Sequence, residues 1–361
     1  MTQPLLLEQL REFGIEISSG KISQILIDHK DDFHREKDAI IKAGLEVSAY
    51  VSVDDTGARH KGKNGYCTHI GNDLFSWFES TPSKSRINFL KLLRAGGTDY
   101  VINEHALDHW QQQKLPLAPY RNLAADLGKT FDDDDRWSSY LRQLGIDSPH
   151  HIRIATEGAL LGSVIEHGVS DKLVILSDDA GQFAVLIHAL CWVHAERNIA
   201  KIIPMSSQGK EDQESIRNRI WQLYQDLKAY KDDPTPDEAK RLEQVFDDIF
   251  TTQTSSVSLN KALERIHRNR TALLLVLERP EVPLHNNGSE TAVRDYVKKR
   301  KISGGTRSEA GRSCRDTFAT LKKTCRKLKI PFWQYLGDRL RATGMIANLA
   351  SIIRERASQS A

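Results

Sequence analysis

The 361-residue chain is poor in cysteine, and its four, Cys67, Cys191, Cys314 and Cys325, are scattered with no CxxC pair among them. That excludes a disulfide framework and the usual zinc ribbon, and it suits a reducing cytosol. Long apolar runs are missing as well. No uncharged stretch approaches the roughly 18 residues of a membrane span. The opening "MTQPLLLEQLREFG" has no basic n-region and its apolar stretch breaks at Glu8, so it does not read as a signal peptide. Nor is there an excess of one charge: a net +3 argues neither for nor against a polyanionic partner. What remains is 39% hydrophobic and 27% charged residues, the make-up of a globular protein with a sizeable core. A cytoplasmic protein without membrane attachment is expected.

Along the chain, residues 1–48 read as helical. Gly14 breaks the first helix and Ser18-Ser19 cap the next, an arrangement open to either a helix-turn-helix or a plain helical hairpin. Residues 49–97 open with three β-branched or aromatic stretches, "AYVSVDD", "GYCTHIG" and "LFSWFES", separated by Gly, Asn and Lys turns. Residues 98–170 carry Pro116, Pro119, Pro149 and the acidic run Asp132 to Asp135, and read as a mostly helical insertion. The acidic run is expected to be a solvated loop, and His150-His151 a surface loop. Residues 171–205 hold "KLVILSDDAGQF", a buried strand ending in acids, then "ALCWVHAERNIAKII", a short strand with Trp192 in the core running into a helix. Residues 206–282 form a second helical insertion, with Ile216, Ile220, Leu223, Tyr224 and Leu227 on one face. In 283–361 a helix is expected from Asn287, with Glu290 at capping-box spacing, to about Lys301. No internal repeat is present. The fold class is mixed α/β, a sheet flanked by helices and interrupted by helical insertions.

Acids thus end two separate apolar strands, and a third acid opens a later helix. Each has an ordinary explanation. Asp54-Asp55 before Thr-Gly and Asp178-Asp179 before Ala-Gly suit turns, and Glu290 can simply pair with Arg294 one turn on. Together they suit phosphoryl transfer with two divalent ions, because Mg²⁺ prefers carboxylate oxygens and two such ions can activate an attacking oxygen and stabilise a leaving one. Alternation along a strand cannot choose Asp54 over Asp55 or Asp178 over Asp179.

The wording of the motifs adds to this. "VDDTGAR", "LSDDAGQF", "CWVHAER", "HNNGSETAVR", "KISGGTRSEAG" and "IPFWQYLGDRL", in that order, resemble the DDE-type transposases with a ribonuclease H-like catalytic core, most closely the insertion-sequence-66 family. The resemblance covers most of residues 4–340. It implies Asp54, Asp178 and Glu290 as catalytic and metal-binding carboxylates, with two Mg²⁺ or Mn²⁺ ions. It also implies His194 and Arg197 at the scissile strand. The matching positions depart from the family at His285, Thr291 and Glu196, where Asp, Arg and a basic residue are usual. Full-length members carry an N-terminal zinc-binding region that contacts DNA, and this chain is expected to begin after it.

The C-terminal third is locally basic. Arg294, Lys298 and Lys301 recur at helical spacing, and Arg307 and Arg312 follow, a footprint for DNA phosphates. "LKKTCRKLK" on its own reads equally as a solvated basic face. Cys191-x-x-His194 has no second ligand pair and is not expected to bind zinc. The expected function is cleavage at insertion-sequence ends and strand transfer into target DNA, by a homodimer or higher assembly on DNA, with accessory proteins of the same element as further partners. Two alternatives remain: a non-catalytic DNA-binding remnant, or a Mg²⁺-dependent phosphoesterase, for which "VDDTG" lacks the D-x-D spacing of haloacid-dehalogenase-like enzymes.

Overall fold

The computed structural model describes residues 2–360. Its strands are β1 (Tyr50–Gly57), β2 (Tyr66–Gly71), β3 (Ser76–Thr81), β4 (Tyr100–Val101), β5 (Thr130–Phe131), β6 (Val174–Ser177) and β7 (Ile187–Leu190). Five of them form one mixed sheet in the order β3-β2-β1-β6-β7, while β4 and β5 make a separate ribbon. With helices making up most of the remainder, the fold is mixed α/β. The chain divides into two compact units. One comprises residues up to 48, 54–173 and from 288 onward, and the other 49–53 and 174–287.

In the first unit, β2 and β3 pair antiparallel over their full length. The third apolar stretch enters its strand only at Ser76, because the Asn72 side chain accepts from Leu74 N (2.9 Å) and folds the preceding residues into a turn. The helix Glu309–Lys327 lies along β3 and supplies the hydrogen bonds that another strand would. Asp316, Thr320 and Thr324, spaced four apart and buried, accept from the backbone N–H of Ser80, Phe78 and Ser76 at 2.9, 3.0 and 3.2 Å. Alternate residues of a strand rise about as far as one helical turn, so the two periods stay in step. An edge that would otherwise template aggregation is thereby closed.

The insertion over 98–170 packs the helix Pro149–Glu166 against Glu104–Gln112. Gly158 permits the close approach, since a Cβ there would lie 2.2 Å from the Trp110 indole nitrogen, which donates to Ala155 O. The acidic run is spent locally: Asp133 caps the helix Asp134–Gln143, Asp134 accepts from Tyr100 Oη at 2.6 Å and pairs with Lys91, and Asp132 pairs with Arg136. His150 and His151 are not in a loop. Pro149 at the first helical position starts the helix ahead of them.

In the second unit, β1 begins parallel to β6, and β6 is parallel to β7. Flanked on both edges, β6 is wholly buried, as its unbroken apolar run requires. Around this stands a helical block: Ser207–Tyr230, Pro236–Phe250 and Val257–Arg268. Ile216, Ile220, Leu223 and Leu227 meet Leu242, Phe246 and Phe250 in one apolar cluster. Trp192 is not on a strand. It opens the helix Trp192–Ala200, buried, donating to Leu273 O at 2.9 Å and lying edge-on to Phe246.

Candidate active site

Successive residues of β1 face opposite ways, so Asp54 and Asp55 part company. Asp55 is ion-paired with Lys84, its side chain only 5% exposed. Asp54 is half-buried and accepts from the Asp55 N–H at 2.8 Å. Glu290 stands in the first turn of the helix Asn287–Ser303, where the helix dipole favours a carboxylate, and accepts from Arg294 Nη2 at 2.9 Å as its i,i+4 partner. Because Asn287 is already helical, the Asn287–Glu290 spacing is not that of a cap and its third residue. Asp54, Asp55 and Glu290 all belong to the first unit.

That helix is pinned at two points within its unit. Ser289 Oγ, next to Glu290, bonds His69 Nδ1 at 2.9 Å, and His69 Nε2 bonds Ser76 Oγ at 2.5 Å. Burial, aided by Lys327 and Lys323, pushes the His69 imidazole down to about 3, so it is neutral. Two turns further on, Tyr296 Oη donates to Asp316 Oδ1 at 3.0 Å. Burial, with Glu79 nearby, pushes the Asp316 carboxyl up to about 6.

In the second unit β6 runs out into Asp178 and Asp179. Asp178 Oδ1 accepts from Ala180 N at 3.2 Å, closing a local turn. Asp179 is paired with Arg265 and accepts from Asn269 Nδ2 at 3.4 Å. Arg197 donates to His194 at 3.2 Å, and Glu196 is buried against Arg217 at 2.6 Å, which accounts for an acid at that position. Cys191 Sγ accepts from Asn286 N at 3.3 Å, and Asn286 Nδ2 donates to Val53 O at 2.7 Å. In the parallel ladder Ser52 lies beside Leu176; Asp178 directly follows β6, whereas Asp54 and Asp55 do not end β1, which runs on to Gly57.

Among the described residues no three His, Cys, Asp or Glu side chains are gathered tightly enough to hold a metal ion. Asp54 and Glu290 stand in one unit and Asp178 in the other. Of the basic residues expected at DNA, Arg294, Lys298 and Lys301 are exposed on one helix, Arg307 is exposed beyond it, and Arg312 is bonded to Glu309. Sequence reasoning missed Lys84, Arg265, His69 and Asp316. Their partners are distant in sequence, and no local pattern marks them.

Asp54 thus lies within β1, Asp178 directly follows β6, and Glu290 opens a helix that carries exposed basic residues further along. Residues 175–313 match the family described as "Transposase IS66 family". The uncharacterized protein y4jO of Sinorhizobium fredii (strain NBRC 101917 / NGR234) is 43% identical over 321 residues, which are 88% of this chain and 100% of that one. The chain belongs to the IS66 family of transposases. Membership gives it a transposase role, with DNA as partner and a general dependence on divalent metal. Among the described residues no helix is long and apolar enough to cross a membrane.

Proposed function

We propose that the protein is a DDE transposase on a ribonuclease H-like core, acting in the cytoplasm, with Asp54, Asp178 and Glu290 as its catalytic carboxylates. The observation that carries this is the pairing of neighbours. Asp55 and Asp179 are each neutralised by a cation of their own unit, Lys84 and Arg265, while Asp54 lies two residues past Ser52 within β1 and Asp178 two residues past Ser52's register partner Leu176, directly after β6. The donor chemistry fits a hard cation, since all three groups are carboxylates. Bound there, two Mg²⁺ or Mn²⁺ ions supply charge stabilisation at the reacting phosphate and activation of the attacking oxygen.

The chain's own residues do the rest. Arg294, Lys298, Lys301, Arg307 and Arg312 hold backbone phosphates rather than read bases, and His194 with Arg197 orders the scissile strand. Hydrolysis of one phosphodiester at the element's end frees a 3′-hydroxyl. That oxygen then attacks a target phosphodiester, joining the strands and expelling the target's own 3′-oxygen. Joining two ends calls for a dimer or a higher assembly on DNA, with accessory proteins of the element as further partners.

The test is nicking and joining of the element's ends with Mg²⁺ or Mn²⁺. Asp178→Asn should lower the rate by about 10²–10³-fold or more, the scale of losing one group that stabilises developing charge, while Asp179→Asn stays close to wild type. An active Asp178→Asn protein sinks the assignment. DNA binding without chemistry in either protein identifies a remnant that keeps the fold alone.

A further inference from the structure

A cavity of about 580 Å³ opens in the first unit between the glutamate helix Asn287–Ser303 and the helix Glu309–Lys327. The size falls within the range of small-ligand sites, roughly 300–1,000 Å³. Phe78, Tyr296, Ile330 and Phe332 give it an apolar lining. Its remaining charged wall is almost entirely cationic: Lys299, Lys322, Arg326 and Lys329 line it, and all four are exposed. The one acid lining the cavity, Asp295, is already bonded to Lys323 and to Lys298. Desolvation and the crowding of Lys322, Lys323 and Arg315 hold the Lys299 ammonium below the usual lysine range. Beside the cavity, Trp333 leaves 79% of its surface in water, its ring centroid 5.9 Å from that of Phe332.

A large exposed indole next to an apolar recess ringed by unspent cations selects an occupant with two properties. It needs a flat apolar face and a negative charge on a flexible tether. Inorganic phosphate lacks the face. Paired DNA keeps its base faces stacked inside the duplex. An unpaired nucleotide offers both, and stacking on aromatic side chains beside a basic track is how such strands are held.

We propose that this cavity and Trp333 bind an unpaired DNA strand, one base entering the apolar recess and neighbouring phosphates lying on Lys322, Arg326 and Lys329. The inference rests on the reading of the protein as one that acts on DNA, and adds to it a subsite whose lining includes none of the three carboxylates.

The experiment is fluorescence anisotropy of the full chain with a labelled oligothymidylate of about 15 nucleotides, long enough to cover one such site, and with a fully paired duplex of equal length. Trp333→Ala and Phe332→Ala should each weaken binding of the single strand about 5- to 100-fold, the range for losing one stacked base, and leave the duplex within about twofold. Lys322→Ala should flatten the logarithmic salt dependence of single-strand binding by about 0.7, one phosphate's share. Trp333 is exposed, so its variant should melt like wild type and keeps the test decisive even if Phe332→Ala does not fold. Equal losses on single strand and duplex, or no loss on the single strand, overturn the proposal. The two readings fail separately. Nicking that vanishes in Asp178→Asn while single-strand binding ignores Trp333 removes only the subsite. Selective single-strand loss alongside an active Asp178→Asn removes only the catalytic assignment.

Discussion

The two units fill their interiors by different means. The block around Trp192 is closed by aliphatic and aromatic side chains, with Phe246 at its centre and fully buried. The unit that carries Glu290 has an apolar core too, but threads more ionisable groups through it: Glu36 under Tyr335 and Arg339, His69 between two serines, and Asp316 beneath β3. Apolar packing is non-directional and tolerates small shifts, whereas a buried hydrogen bond has one good geometry and is costly to leave unmade. A directional interior suits the unit whose helix must hold a carboxylate in place.

The largest test of this contrast is Phe246→Ala. Emptying the space between Phe250, 4.4 Å away by ring centroids, and Trp192 should cost about 3–5 kcal/mol. Amide exchange should quicken across the helices 207–230, 236–250 and 257–268 and leave β2 and β3 protected. Equal loss in both places would mean a single cooperative core.

Asp316→Asn comes next, and its signature is pH. The carboxyl ionises at 3.8 when unfolded and at about 6 when folded, so the folded state holds an extra proton between these values. Its contribution is full below 3.8 and is lost as pH rises through 6. The amide cannot ionise. Between pH 4 and 7 the stability of the variant relative to wild type should therefore rise by on the order of 2 kcal/mol, read from denaturant midpoints. His69 works in the opposite sense: its neutral form costs stability as pH falls below 6.5, because the unfolded chain takes up a proton that the folded one refuses. A flat difference between Asp316→Asn and wild type would show that the carboxyl is not held neutral.

The smallest effect expected is that of Ser289→Ala. Losing one neutral bond to the buried imidazole should cost about 1 kcal/mol. Nicking should slow out of proportion to that loss, because Glu290 is the next residue. A variant with lower stability and an unchanged rate would make the His69–Ser289 bond purely structural.

Much of this plan was legible from residue pattern. The continuous apolar run before Asp178 reads as a strand buried on both sides, and β6 is one; the face of Ile216, Ile220, Leu223 and Leu227 is the one the helical block buries. The limits are equally physical. Thr317, Thr320 and Thr324 are fully buried, yet they are polar, and polar residues at helical spacing do not announce a core. Cover for the β3 edge was therefore hidden inside a stretch that reads as a basic surface. The neutralising cations Lys84 and Arg265 were hidden too, since a salt bridge between distant segments leaves no periodic trace.

The unit that carries Glu290 is assembled from three separate stretches of chain, and its sheet edge is closed by residues 309–327. During synthesis β2 and β3 emerge long before the helix that covers them. The intervening block, nearly continuous in sequence, has its whole core available first. Until the last quarter of the chain leaves the ribosome, β3 keeps a bare row of backbone donors, a natural docking point for a chaperone and a point of vulnerability if synthesis stalls.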